Sequence, residues 1–194
     1  MGSGIVEYKF LLLPIALGLM VPAATLPWIT INFLGSHDYS AINILSGLTG
    51  SSVKQDSGGQ FAISDLISAY DEAYYLAVFS QSAFVISIGM MGIAAWRHDK
   101  PWLVVVAGTL AISSALTWMY SVDSIKDNFA GQAAITGGII GEEFKGHENA
   151  LADALIKIGA GQYFVAAGGV TGLCYFLVNY KVVYKKTRIS TSPF

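Results

Sequence analysis

Four stretches of the chain carry no charged residue at all: 10–33, 73–96, 101–122 and 158–180. Each exceeds the roughly 20 residues that a helix needs to cross about 30 Å of hydrocarbon. The pattern predicts an all-α integral membrane protein, a bundle of four transmembrane helices at 10–33, 72–96, 101–122 and 158–180. The intervening segments are then a short turn at 97–100 and two longer loops at 34–71 and 123–157. Residues 1–9 and 181–194 flank the bundle. Because the turn is so short, spans two and three form an antiparallel hairpin. Pro101 suits the first turn of the third helix, where a missing N–H costs nothing.

The loops have patterns of their own. Trp28-Ile29-Thr30-Ile31-Asn32-Phe33 and Tyr39-Ser40-Ala41-Ile42-Asn43-Ile44-Leu45 alternate apolar with polar residues and are rich in β-branched side chains. Both read as short strands, with Gly35-Ser36-His37-Asp38 as the turn between them. A small extracytoplasmic β-hairpin is expected. Residues 47–59, with Ser51-Ser52, Ser57 and Gly58-Gly59, have linker chemistry. Ser64-Asp65 offers an N-cap followed by an acid, predicting one helix from 64 to 96 that begins outside the membrane. In the second loop, 129–141 is uncharged and Gly-rich but too short to span. It reads as a loop folded over the ectodomain, or as a re-entrant segment with its backbone covered by protein. Leu151, Leu155 and Ile158 share one helical face, predicting an amphipathic lead-in continuous with span four.

Composition agrees with the pattern. Of 194 residues, 54% are hydrophobic and only 12% charged, against about 25% charged in soluble domains. Charge also sets the orientation. Lys9, Arg97, Lys100, Lys181, Lys185, Lys186 and Arg188 lie on the side of the termini, close to the spans. Lys54, Lys126, Lys145 and Lys157 are spread along the two long loops. The positive-inside rule places both termini in the cytoplasm. The basic tail 185–188 would then meet anionic lipid head groups. Lys9 before Leu11-Leu12-Leu13, with Pro22-Ala23-Ala24 further on, loosely resembles a signal peptide. Glu7 cancels Lys9, however, so the expectation is an uncleaved first span.

Candidate chemistry is sparse. Trp96 and Trp102 at the inner side, and Trp28 and Trp118 at the outer, are expected as membrane-interface anchors, with Tyr74, Tyr75 and Tyr120. No ionisable residue lies in a span core, where transporters and pumps keep theirs. Ser80, Gln81, Ser82, Ser87, Ser113, Ser114 and Thr117 are expected to bond between helices. Gln81 is the most suggestive, since an amide in hydrocarbon needs a partner. Gly168 and Gly172 form a GxxxG pair that lets another helix approach, either in the same bundle or in a neighbouring subunit. His37, His147 and Glu148 are weak metal-ligand candidates; a solvated acidic loop is the plainer reading. With no nucleophile elbow, phosphate loop or dinucleotide fingerprint, the chain is expected to be no enzyme, to carry no cofactor and to bind no nucleic acid. Its single cysteine, Cys174, rules out a disulfide within the chain. That, with no Asn-x-Ser/Thr sequon, leans toward a prokaryotic or viral cell membrane.

Four spans, a tight inner turn and two outer loops, with Trp28 after span one and then Gly47-Leu48, resemble the layout of claudins and tetraspanins. The cysteine motifs of those families are absent. The resemblance implies an adhesion, barrier or membrane-organising role. The expected function is a non-enzymatic membrane scaffold or assembly protein, its partners being the lipid bilayer and further copies or other membrane subunits. Two alternatives stand beside it: an accessory subunit of an energy-converting oxidoreductase complex, and a homo-oligomeric pore lined by span two or by residues 129–141.

Overall fold

The computed structural model describes the backbone at residues 4–32, 36–48, 67, 71–97, 100–140 and 147–190, and the side chains there except at 4–10, 133–140, 148 and 179–190. Among the described residues, six helices and three strands follow in order: α1 (Gly4–Ala23), β1 (Pro27–Asn32), β2 (Ser36–Ser40), α2 (Ala41–Leu48), α3 (Asp71–Trp96), α4 (Trp102–Ile140), α5 (Glu148–Leu155), β3 (Ile156–Ile158) and α6 (Gly161–Ser190). Of the expected linker at 47–59, Gly47 and Leu48 end α2 instead, and its remainder, the Ser64-Asp65 cap and the side chains of the basic tail lie outside this description.

Among the described residues, three helical stretches are long and apolar enough to cross a membrane: Asp71–Trp96, Trp102–Gln132 and Gly161–Val178. The apolar part of α1 described with side chains, Leu11–Ala23, is shorter. α4 packs along α3 on one side and α6 on the other, and α1 packs along α6 and reaches back to α3. The helices therefore form a ring in which α3 and α6 stand diagonally opposed.

Small and polar side chains line much of the helix seams, while the outer surface of the ring is largely apolar. The inward positions include small or polar residues, Ala73, Ala77, Ser80 and Ser87 on α3 and Ala107, Ala111, Ser114 and Ala115 on α4, beside the larger Phe84, Met91, Leu103, Val104, Trp118 and Val122. The outward positions are large and apolar: Leu11, Ile15, Phe79, Val85, Ile86, Ile93, Leu116, Val170 and Leu177. Association inside lipid relies on close backbone approach and hydrogen bonds rather than on hydrophobic burial, which favours this arrangement.

α1 ends as its composition dictates. Pro22 sits in its last turn, and the amides of Thr25 and Leu26 both close onto the Pro22 carbonyl. Pro27 then opens β1, the first strand position being one that tolerates a missing N–H. The expected first span of 10–33 is thus corrected: its last residues are sheet, because Trp28 to Asn32 is β-branched and alternating. β1 is the centre of a three-stranded antiparallel sheet of order β2-β1-β3. Ile29, Ile31, Tyr39, Ile156 and Ile158 pack toward the core. Thr30 pairs with Asp38 on one side and Lys157 on the other, and its hydroxyl donates to the Asp38 carboxylate at 2.6 Å.

Three further expectations are corrected. The second strand runs from Ser36 to Ser40, and the residues expected to prolong it form α2 instead. Ser40 Oγ accepts from the Asn43 amide at 3.4 Å, an N-cap, and Ala41 and Ile44 bury one turn apart. The apolar residues of that segment fit a helical period as well as an alternating one. Residues 129–140, expected as a loop or a re-entrant segment, continue α4. No proline interrupts α4, and Ile125, Phe129 and Ala130 give its extension a face to pack. At 1.5 Å per residue α4 is about 58 Å long, of which its charge-free part accounts for roughly 30 Å. Finally, α5 does not run into span four. The β-branched Ile156-Lys157-Ile158 is extended and pairs with the free edge of β1.

Candidate functional site

The sheet is seated on the bundle by Trp28. Register between β1 and β2 shifts between Pro27 and Ile29, and such an irregularity re-aims a side chain. Trp28 shares strand parity with outward-facing Thr30, yet its ring is fully buried. The indole N–H donates to the Ala23 carbonyl at 2.7 Å. The Trp28 carbonyl accepts from Trp118 Nε1 at 3.1 Å and from the Gly159 amide at 3.0 Å. Its ring meets Phe84 (5.0 Å, 61°) and Trp118 (5.7 Å, 72°) edge-to-face, the arrangement that ring quadrupoles favour. One residue thus joins α1, β1, α3 and α4.

α6 reaches this junction only because two residues lack side chains. A Cβ on Gly161 would collide with the Trp28 indole, and one on Gly159 with the Pro27 carbonyl. Toward the other end of α6, Gly168 faces Ala16 and Met20 of α1, and Gly172 faces the Met91 terminal methyl at 2.6 Å from where its Cβ would be. The helices that the GxxxG pair admits here are in the same chain. Gly108 of α4 and Gly169 of α6 approach equally closely, each ideal Cβ lying 2.8 Å from the other's carbonyl oxygen.

The α3–α4 seam is held differently. Ser80 Oγ donates to the Ser114 carbonyl and Ser114 Oγ to the Ser80 carbonyl, both at 2.8 Å. Ser121 Oγ donates to the Ala73 carbonyl at 3.0 Å. Ser87 turns back onto Phe84 of its own helix. Gln81 and Gln162 are also fully buried, but neither the nitrogen nor the oxygen of either carboxamide has a hydrogen-bond partner. Gln81 faces the interior of its own bundle.

The remaining predicted residues fall in several places. Trp96 and Trp102 are exposed at the hairpin end, where an anchor would be. Trp28 and Trp118, expected as anchors, are instead core: fully buried rings cannot lie against head groups. His37 lies in β2 opposite Ile31, and His147 precedes α5 at the surface; the Glu148 side chain and His98 are not described. Among the described residues no three His, Cys, Asp or Glu side chains come together as a metal site. Lys126 of α4 pairs with Asp153 of α5 at 2.8 Å. Burial in the sheet raises the Tyr39 hydroxyl above the ordinary phenol range.

Sequence reasoning passed over Gln162, Gly108 and the inward aim of the two outer tryptophans. Spacing carried a signal for Trp118. It continues the series Ala107, Ala111, Ser114 and precedes Val122, a single stripe of steps of three and four. No protein-family model matches this sequence, and no curated protein matches it.

Proposed function

We propose that this chain is a four-span, non-enzymatic membrane scaffold, acting through the sheet-capped outer loops and the apolar outer surface of its bundle. The observation that carries the reading is the junction at Trp28. The segment after the first helix and the segment before the last join in one sheet, and that sheet is fixed to the bundle by a buried ring. Such construction suits a surface that must keep its shape while other molecules dock on it. The fourth span in this reading is α1, whose exposed Leu11, Ile15 and Val21 offer an apolar exterior like that of its neighbours. Both termini lie in the cytoplasm by the cation distribution. The claudin-like layout, a strand-bearing first loop after span one, supports a membrane-organising role by analogy of fold only.

A reporter active only outside the cytoplasm tests the topology. It should be silent when fused after Phe194 and active when inserted near Gly50; activity at the C-terminus would refute it. Native mass spectrometry after mild solubilisation tests the function. A homo-oligomer or a complex with other membrane chains is expected, and a companion-free monomer in every mild detergent would refute the scaffold. Stable co-purification with unrelated redox subunits would instead favour the accessory-subunit reading.

A further inference from the structure

The two ends of the bundle differ in charge. Every acid with a described side chain lies toward the sheet: Asp38 in β2, Asp71 and Glu72 opening α3, Asp123 and Asp127 beyond the charge-free part of α4, and Asp153 in α5. At the hairpin end the charges with described side chains are Arg97 and Lys100. Among the described residues, no carboxylate pairs with either. The turn has one acid of its own, Asp99, so two cations less one acid leave it a net single positive charge when His98 is neutral.

Helix length sets the depth of this turn. From Ala73 to Trp96, α3 rises about 35 Å at 1.5 Å per residue, enough to cross roughly 30 Å of hydrocarbon and enter the head groups. Arg97 follows at once, and its backbone is pinned. The Arg97 amide closes onto the Ile93 carbonyl at 2.7 Å, the Lys100 amide onto the Arg97 carbonyl at 3.4 Å, and the Leu103 amide onto the Lys100 carbonyl at 3.1 Å. Trp96 is 88% exposed and Trp102 55%, and indoles so placed sit at head-group level. Two exposed rings therefore flank two cations held at the depth of lipid phosphate.

We infer that Trp96, Arg97, Lys100 and Trp102 form a docking surface for an anionic phospholipid, its phosphate against the two cations and its upper acyl region beside the indoles. Charge complementarity selects this occupant. A zwitterionic head group carries its own ammonium and gains nothing net from a positive patch. An anionic one is drawn to it, and a single net cation should enrich it about fivefold beside the turn. The planar Arg97 guanidinium suits two phosphate oxygens at once, and Lys100 adds a point charge. The basic tail lies at a different depth. Gly108 meets Gly169 and Val104 meets Gly172, which puts Lys100 level with Phe176. Position 181 then begins about 8 Å further from the bundle, outside the layer that the indoles mark. The surface rests on α3 and α4 crossing a bilayer, and not on the scaffold role.

Tryptophan fluorescence tests this, because brominated lipids quench an indole that they touch. Trp28 and Trp118 are buried toward the sheet, so quenching reports Trp96 and Trp102. The full chain is reconstituted in phosphatidylcholine vesicles holding the same minor fraction of brominated phosphatidylglycerol or of brominated phosphatidylcholine. The anionic lipid should quench as if about fivefold more concentrated beside the indoles. Arg97→Gln with Lys100→Gln should abolish that preference while brominated phosphatidylcholine still quenches. Changing Lys181, Lys185, Lys186 and Arg188 to Gln should leave it in place. Equal quenching by the two lipids in the wild type would overturn the proposal. So would a preference that survives the turn variant, vanishes in the tail variant, or yields to inorganic phosphate more than to chloride at equal ionic strength. Quenching by neither lipid would refute the spanning reading, and the surface with it. If a variant fails to fold, the wild-type comparison still decides whether anionic lipid is preferred.

Discussion

The two seams of α4 are built on opposite principles. Toward α3 it is joined by serines that exchange hydrogen bonds with the facing backbone. Toward α6 the two backbones approach at Gly108 and Gly169, with the Ala111, Ile112 and Leu173 side chains packed around the contact. Both solve the same problem, holding helices together where burial of apolar surface gives no preference for protein over lipid. The serine seam tolerates change because each bond is worth only about 0.6 kcal/mol in a membrane interior. The glycine seam does not, because its limit is volume.

Substitutions can test that contrast, and the largest effect belongs to the junction that positions α6. Trp28→Ala removes the ring packed on Phe84, Trp118 and Gly161. It should destabilise by about 3–5 kcal/mol, the usual cost of deleting a buried aromatic, seen as a steep fall in thermal midpoint in detergent. Gly169→Val comes next. Its Cβ alone would stand 2.8 Å from the Gly108 carbonyl and 3.0 Å from the Ala111 methyl. A loss of about 1–3 kcal/mol is expected from overpacking, and an unchanged midpoint would mean that the close approach does not hold. Ser114→Ala should cost about 0.6 kcal/mol, since Ser80 keeps its own bond to the Ser114 carbonyl. If it matched Gly169→Val, the distinction between the seams would fail.

The smallest effect lies outside both seams. Burial raises the Tyr39 hydroxyl above its ordinary value of 10.0. The folded chain therefore keeps this proton at a pH where the unfolded chain releases it. Tyr39 contributes its full stability below about pH 10, and that contribution is lost as pH rises from there through the raised folded value. Alkaline unfolding should begin at higher pH in Tyr39→Phe, which has no proton to lose.

Much of the helical part could be read from the chain because charge is expensive in lipid. The gaps at 73–96, 101–122 and 158–180 coincide with α3, the first part of α4, and α6. β1 was legible from its alternation. What escaped depended on partners far away in sequence. Ile156-Lys157-Ile158 is three residues, too short to declare itself, and becomes a strand only because β1 offers an open edge. Ala41 to Leu45 satisfies two periods at once, and the Ser40 cap decides between them. Trp28 looked like an interface residue because its inward aim comes from a backbone irregularity that composition does not encode. In the candidate site, Gln81 stood out as an amide in a charge-free run. Gln162 did not, because it sits at the very start of its helix.

The sheet also sets the order in which the protein can be completed. β1 is made directly after the first helix, but its partner β3 is made only just before α6, with Ile29 waiting for Ile158. Until then one edge of β1 has no strand beside it, and Trp28 has no Gly161 to close over it. Contacts so distant in sequence form late. The nascent chain must therefore hold a half-built sheet while α3 and α4 are made. The final helix finishes the bundle, and the strand just ahead of it closes the sheet.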